Sequence, residues 1–134
     1  MNLYLVRHGE TEWNRLKKFQ GQLNSDLTDI GIEQAKALGK YLEKENIDFD
    51  FVYSSPQERA YNTAKLIKED FQIITDSRLM EMAFGKWEGM DVELIKEESA
   101  ENFHNFFNSS DKYNHKPHEA ESFESLESRI CLKK

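Results

Sequence analysis

The sequence has 134 residues with a single cysteine, Cys131, and it lacks long apolar runs. One cysteine excludes an intrachain disulfide, which is typical of proteins in a reducing compartment. The apolar stretch near the N-terminus is too short for a signal peptide, and no basic region precedes it. No segment approaches the ~18 apolar residues that a membrane span needs. We therefore expect a cytoplasmic protein without a membrane partner.

Basic residues are fewer than acidic ones. The sequence has 18 Lys and Arg and 25 Asp and Glu, which gives a formal net charge of −7. Such a chain repels the phosphates of nucleic acids, so we expect no nucleic-acid partner. A small phosphate ester is not excluded, since a site can be locally basic. The apolar fraction of 38% predicts a lean core, and the length predicts one domain over residues 1–134.

Strands and helices are predicted to alternate in the first part of the chain. Three apolar runs are typical of short buried strands, at residues 2–6, 50–54 and 71–75. Thr28 is predicted to cap a helix that ends near residue 45. A second helix, ending near residue 69, is predicted to start with Ser55 as its cap, Pro56 at its first position and Glu58 completing a capping box. This alternation indicates an α/β protein with a mostly parallel sheet.

The remainder of the chain is predicted to contain two helices and two polar connections. A loop over residues 77–90 precedes a helix over residues 91–107, and a polar, mobile segment follows over residues 108–120. Ser122 then begins a helix that continues to the end of the chain. Because no strand follows this helix, the α/β pattern is unfinished.

Arg7, His8 and Gly9 stand where the first predicted strand ends. In open α/β sheets, ligands bind just beyond the carboxyl ends of the strands. A histidine there can act as a nucleophile or a base, and the neighbouring arginine can hold an anion with its fork of N–H donors. This pattern indicates phosphoryl chemistry on His8.

Other polar residues follow the same predicted strands. Arg59 lies in the first turn after the second strand, where a helix N-terminus favours an anion, and Glu81 lies in the loop after the third. Three further candidates lie in the loop after the first strand: Asn14, Gln20 and Gly21. The carboxyl ends of parallel strands share one edge, so we expect a cationic pocket built from two arginines and a histidine.

Five motifs occur in order along the chain: LVRHGETEWN at 5–14, FQG at 19–21, LTDIGIEQA at 27–35, YSSPQERA at 53–60 and LMEMAFGKWEG at 79–89. Together they resemble the histidine phosphatase superfamily, and within it the phosphoglycerate-mutase-like branch. The resemblance covers residues 1 to about 130. It implies a three-layer α/β/α fold with a mostly parallel sheet.

The resemblance also implies a mechanism. His8 attacks phosphorus and becomes phosphohistidine, Arg7 and Arg59 bind the phosphoryl oxygens, and Glu81 protonates the leaving alcohol. The substrate pocket is lined by Asn14, Gln20 and Gly21. No cofactor and no metal are implied, and the polar surroundings of His115 and His118 argue against a metal pair there.

The resemblance favours a phosphatase over a phosphoglycerate mutase. The motifs at 19–21 and 84–89 are similar to those of the small phosphatases, and the segment between Trp87 and Glu121 is short compared with the mutases. The implied partner is a small phosphorylated metabolite, with phosphorylated sugars, phosphoglycerate and α-ribazole phosphate as candidates. Whether the protein forms a homo-oligomer stays open.

The family also has a second catalytic histidine, in a Ser-His-Gly-type turn after a later strand, and this chain ends at Lys134 before it. None of the other histidines, His104, His115 and His118, is followed by Gly or preceded by an apolar strand. We therefore hypothesise a truncated, frameshifted or incompletely represented member. A non-catalytic phosphate-binding remnant is the alternative. Loss of the later strand would leave the edge of the first strand unpaired and its apolar faces exposed.

Overall fold

A computed structural model of the chain describes residues 2–131 and divides them into two compact units. The first unit contains residues 2–12 and 25–79, and the second contains residues 13–24 and 80–131. A four-residue helix, α1, spans Glu12–Arg15. Within the described residues, every helix is too short or too polar to cross a membrane.

The first unit consists of two helices and a small sheet. In chain order these elements are α2 at Asp29–Lys44, β1 at Val52–Ser54, α3 at Glu58–Ile67 and β2 at Ile73–Thr75. The strands β1 and β2 pair in parallel, with Tyr53 opposite Ile74. Parallel strands need a crossover connection, which α3 supplies. The predicted α/β class and the parallel pairing of these two strands are therefore confirmed.

Helix α2 begins and ends as predicted. The hydroxyl oxygen of Thr28 accepts a hydrogen bond of 3.1 Å from the backbone N–H of Gly31, as an N-cap does. Ala35 and Leu42 recur at helical spacing and are buried. Local signals in this segment are enough to define the helix, because its cap and its apolar stripe coincide.

The predicted start of α3 was wrong. The helix begins at Glu58, and its N-cap is Gln57 rather than Ser55. The Ser55 hydroxyl accepts from the backbone N–H of Gln57 at 3.3 Å and donates to the side-chain oxygen of the same residue at 3.2 Å. A serine that bonds two residues ahead forms a local turn, so the helix starts after this turn.

The predicted strand at residues 2–6 does not form, since no strand occurs among residues 2–10. Leu3 is 77% exposed, Leu5 is 88% exposed and Val6 is 52% exposed. A strand requires a neighbour that takes up its backbone N–H and C=O groups, and in the described structure β1 pairs with β2 alone. The segment therefore leads into the Arg7–Gly9 turn as an extended chain with exposed apolar side chains.

The second unit is built on three helices: α4 at Val92–Glu98, α5 at Ala100–Asn108 and α6 at Phe123–Ile130. The single helix predicted over residues 91–107 is divided at Ser99, whose φ of −138° is not helical. Ser122 caps α6 as predicted. Four side chains form the buried centre of this unit: Met82, Phe84, Trp87 and Ile95. Aromatic residues surround them, among them Phe19, Phe103, Phe106 and Phe123.

The segment at residues 108–120, which was predicted to be polar and mobile, contains local structure. It forms two 3₁₀ turns, at Ser110–Lys112 and Lys116–His118. His118 is buried, and its ring stacks on Trp87 with ring centroids 3.9 Å apart and planes parallel within 1°. The phenol O–H of Tyr113 lies 2.7 Å from Nε2 of His118. Aromatic stacking on the buried centre thus orders a segment whose composition is polar.

Burial lowers the pKa of His118, and the nearby His115 lowers it further. The unfolded chain therefore takes up a proton at His118 more readily than the folded chain does. The stability that comes from this group is complete above the ordinary histidine pKa of ~6.5 and is lost as the pH falls below it.

We predict that the free energy of unfolding falls as the pH is lowered from about 7.5 to about 5.5, a window that spans the ordinary histidine pKa. His118→Phe retains a ring on Trp87 and cannot titrate, so its fall should be smaller. The exposed His104 provides the control, and His104→Gln should keep the wild-type slope. Denaturant unfolding at several pH values measures this slope. A slope that His118→Phe leaves unchanged would contradict the account.

Candidate functional site

His8 is half-buried, and its orientation defines which ring nitrogen can react. Its Nδ1 lies 2.7 Å from the carbonyl oxygen of Gly9. A carbonyl oxygen only accepts hydrogen bonds, so Nδ1 is the nitrogen that carries the proton. In neutral imidazole the other nitrogen, Nε2, then carries the lone pair. This contact therefore makes Nε2 the His8 nitrogen with a lone pair, and a lone pair can act as a nucleophile or a base.

Helix α3 holds this turn through one side chain. The backbone N–H of Gly9 donates to Thr63 Oγ1 at 3.1 Å, and the Thr63 hydroxyl donates to the carbonyl oxygen of Arg59 at 2.7 Å. Arg59 and Thr63 are the most buried residues of α3, at 2% and 4% exposure. The backbone of Arg59 is therefore linked to the segment that carries His8 through Thr63 and Gly9.

Helix α2 holds the other side of the turn, where two glycines allow the backbones to touch. A Cβ atom at Gly9 would lie 2.4 Å from the carbonyl oxygen of Gly31, and one at Gly31 would lie 2.1 Å from that of Glu10. Both distances are too short for any side chain. The backbone N–H of Glu10 donates to Gln34 at 3.0 Å, and the Thr28 hydroxyl donates to the Glu10 carboxylate at 2.7 Å.

A cavity of about 130 Å³ lies in the first unit, beside the His8 turn. Three segments line it: Val6, Arg7, His8 and Gly9 from the turn, Gln34, Ala35 and Leu38 from α2, and Thr63 and Ile67 from α3. A water molecule needs roughly 10–15 Å³ of such space, so the cavity has room for several waters or a small anion. Arg7 and His8 thus line one cavity, and the Arg7 residue is largely exposed.

The other predicted site residues lie in the second unit. Glu81 is exposed, and its Oε1 accepts from the backbone N–H of Met82 at 2.9 Å. The carbonyl oxygen of Glu81 accepts from the side-chain amide of Gln22 at 3.1 Å, which brings the Gln20–Gly21 segment and Glu81 together. Asn14 lies on α1 and is exposed.

Glu88 is a residue that the sequence reasoning missed. Its Oε1 accepts from the backbone N–H groups of Gln22 and Phe84, at 3.0 and 2.8 Å, and its Oε2 accepts from Leu23 at 2.8 Å. A Cβ atom at Gly21 would lie 2.3 Å from Glu88 Oε1, so Gly21 leaves room for this carboxylate. Glu88 thus holds the backbone of residues 22 and 23, which directly follow the predicted pocket residues 20 and 21.

The histidines other than His8 all lie in the second unit. His118 packs on Trp87, Nδ1 of His115 donates to the carbonyl oxygen of Ala120 at 3.0 Å, and His104 is exposed on α5. Among residues 2–131, no group of three or more His, Cys, Asp or Glu side chains is arranged to hold a metal ion. The structure thus gives His118 a stacking contact and His115 a hydrogen bond to the backbone.

The contact between Gly9 and Thr63 predicts a specific stability effect. Thr63→Val preserves the shape of the side chain and leaves the buried N–H of Gly9 without its acceptor, which should reduce the free energy of unfolding by about 1–3 kcal/mol. Thr63→Ser keeps the hydroxyl and should lose less. Denaturant unfolding of the three proteins measures both differences. Equal losses for the two variants would show that the hydrogen bond does not hold the turn.

Known proteins similar to this chain include phosphatases and a mutase. Phosphoserine phosphatase 1 of Hydrogenobacter thermophilus is 42% identical over 105 residues, which cover 77% of the chain and 49% of that protein. A 2,3-bisphosphoglycerate-dependent phosphoglycerate mutase of Treponema denticola is 41% identical over 108 residues, which cover 77% of the chain and 42% of that protein. The chain therefore spans about half the length of these curated relatives.

The fold is also found in solved structures. The alpha-ribazole phosphatase from Shigella flexneri superposes with a TM-score of 0.77 at 32% sequence identity, covering 92% of this chain and 60% of that one. The histidine phosphatase superfamily (branch 1) matches residues 3–131, a range that contains all five motifs. The resemblance seen in the sequence is thereby confirmed, and the chain belongs to the histidine phosphatase superfamily.

Proposed function

We propose that this protein is a phosphomonoester phosphatase that works through a phosphohistidine on His8. The observation that carries the proposal is the 2.7 Å contact between Nδ1 of His8 and the Gly9 carbonyl oxygen. With the proton on Nδ1, Nε2 carries the lone pair that would attack phosphorus. Arg7 lines the same cavity as His8, which supports a role in binding the phosphoryl group.

The proposed reaction has two steps. In the first, Nε2 of His8 forms a bond to phosphorus while the ester P–O bond breaks, and Glu81 gives its proton to the leaving alcohol oxygen. In the second, water attacks the phosphohistidine and the N–P bond breaks, while Glu81 takes up the proton that the water gives up and inorganic phosphate leaves. Arg7 and Arg59 stabilise the charge on the phosphoryl oxygens, and loss of one such donor costs about 3–4 kcal/mol. Asn14, Gln20 and Gly21 are assigned to the substrate pocket.

The substrate is proposed to be a small phosphorylated metabolite. Similarity to a phosphoserine phosphatase and to an alpha-ribazole phosphatase supports hydrolysis, whereas similarity to a phosphoglycerate mutase makes isomerisation the second candidate. An assay with phosphoglycerate separates the two, since robust isomerisation would overturn the choice of phosphatase. The lone Cys131 supports a cytoplasmic location, and the proposed steps use no cofactor.

The central step predicts that His8 carries acid-labile phosphate during turnover. The full chain, mixed with phosphoserine labelled in its phosphate and stopped with base, should retain label on His8. His8→Ala should retain none, because the nucleophile is gone. His104→Ala should label like the wild type, since His104 is an exposed residue of the second unit.

Peptide mapping of the labelled protein locates the phosphate. Label on a peptide that contains His8 supports the proposal. Equal labelling of wild type and His8→Ala would contradict it, and so would an unlabelled wild type, which would favour a phosphate-binding remnant without chemistry.

A further inference from the structure

An ion pair in the second unit contacts the segment that carries Glu81. Arg129, in the last turn of α6, donates from Nε to Glu121 Oε1 at 2.7 Å and from Nη2 to Glu121 Oε2 at 3.2 Å. The two side chains are only 22% and 10% exposed. Such a two-point contact between a guanidinium and a carboxylate fixes the direction of both groups.

The same pair holds the backbone on both sides of Glu81. Nη2 of Arg129 also donates to the carbonyl oxygens of Met80, at 2.8 Å, and Glu81, at 3.2 Å. Glu121 contacts the next residues along, because its Oε2 accepts from the N–H of Ala83 at 3.2 Å and its own N–H donates to the Ala83 carbonyl oxygen at 2.8 Å. Residues 80–83 are therefore held by contacts from residues 121 and 129.

The segment needs these contacts because it has no regular structure of its own. Residues 80–84 lie between the 3₁₀ turns Ser77–Leu79 and Gly85–Trp87 and belong to no helix or strand. Glu81 is exposed, and its Oε1 accepts from the backbone N–H of the next residue, Met82. The position of its carboxyl group then depends on where the backbone is held.

Glu121 is suited to this role because it stays ionised. Burial acts to raise the pKa of its carboxyl group, and the hydrogen bonds from Arg129 and Ala83 outweigh this effect, so the pKa lies below the ordinary glutamate value. Arg129 therefore has an ionised partner at pH values above the ordinary glutamate pKa.

We propose that Arg129, held by Glu121, is a positioning residue for the general acid Glu81 and acts through the backbone of residues 80 and 81. The inference rests on the proposed function, which assigns Glu81 the proton transfer. A general acid must lie within hydrogen-bond reach of the leaving oxygen. A small displacement of the backbone at residue 81 would therefore slow proton transfer without removing the nucleophile.

Two substrates separate this role from a general structural role. The serine oxygen of phosphoserine leaves as an alkoxide unless an acid protonates it. By contrast, p-nitrophenyl phosphate releases a stable phenolate that hardly needs an acid. Glu81→Gln should lower kcat for phosphoserine about 100-fold and kcat for p-nitrophenyl phosphate much less. Arg129→Lys retains the charge and loses the fork of Nε and Nη2 that contacts Glu121 and turns Nη2 toward the two carbonyl oxygens. It should lower kcat for phosphoserine about tenfold with a small effect on p-nitrophenyl phosphate.

Arg78 offers a matched control in the first unit. It forms a two-point ion pair with Asp76 on the exposed surface, and Arg78→Lys should leave both kcat values near those of the wild type. Glu121→Gln keeps an acceptor for Arg129, and it should shift the ratio of the two kcat values in the same direction, to a smaller extent. This variant decides the question if Arg129→Lys does not fold.

The outcomes distinguish the inference from the function on which it rests. The test first requires that Glu81→Gln lowers kcat mainly for phosphoserine. If it does, an equal loss of kcat on both substrates in Arg129→Lys or Glu121→Gln would overturn the positioning role. If Glu81→Gln itself affects both substrates equally, the assignment of Glu81 as the acid is wrong and the role of Arg129 falls with it. A selective loss in both variants supports the inference.

Discussion

The first unit depends on the contact of two backbones at Gly9 and Gly31. Neither residue has room for a Cβ atom, because the nearest carbonyl oxygens would lie 2.4 and 2.1 Å away. This contact seats the Arg7–Gly9 turn on the first turn of α2, and Thr63 of α3 completes the support from the other side. The carbonyl oxygen of Gly9 is thereby fixed, and it in turn selects the tautomer of His8. A residue that belongs to no strand thus acquires a defined chemical state.

In the second unit, carboxylates hold the backbone segments that carry the predicted site residues. Its predicted site segments, around residues 20–21 and 80–83, also lack regular structure. Glu88 accepts three backbone N–H groups, and Glu121 works with Arg129 to hold the second segment. Hydrogen bonds that involve a charged group are roughly twice as strong as neutral ones. The side chains of Arg129 and Glu121 are only 22% and 10% exposed, so water competes little for their contact.

Local sequence signals predicted part of this fold. The Thr28 cap and the apolar stripe of α2 lie within one segment, so both were predicted, and the parallel pairing of β1 and β2 follows from the alternation of strands and helices. The strand at residues 2–6 was wrong because a strand depends on a neighbour as much as on its own residues. The order in residues 108–120 was missed, since it comes from stacking of His118 on Trp87. The prediction of a single domain over residues 1–134 stays a prediction.

The motifs identified the family and its candidate residues. The residues that hold these candidates in place could not be predicted from the sequence. Arg7, His8 and Arg59 occupy motif positions that can be recognised one by one. Thr63, Glu88 and Arg129 act through contacts with residues that are 48 to 66 positions away along the chain. Side chains of these types also occur on solvated surfaces. Only the folded structure distinguishes a side chain that holds a site segment from one that faces solvent. The roles of all the predicted site residues remain proposals: His8, Arg7, Arg59, Glu81, Asn14, Gln20 and Gly21.

The central claim is that the Gly9 carbonyl oxygen fixes the proton of His8 on Nδ1. A ¹H–¹⁵N correlation spectrum of the imidazole in the folded full chain, recorded above the ordinary histidine pKa of ~6.5, measures this directly. Assignment by comparison with His8→Ala identifies the signal. The account predicts a protonated Nδ1 and an Nε2 with the shift of an unprotonated nitrogen. A proton on Nε2, or a mixture of the two tautomers, would contradict it.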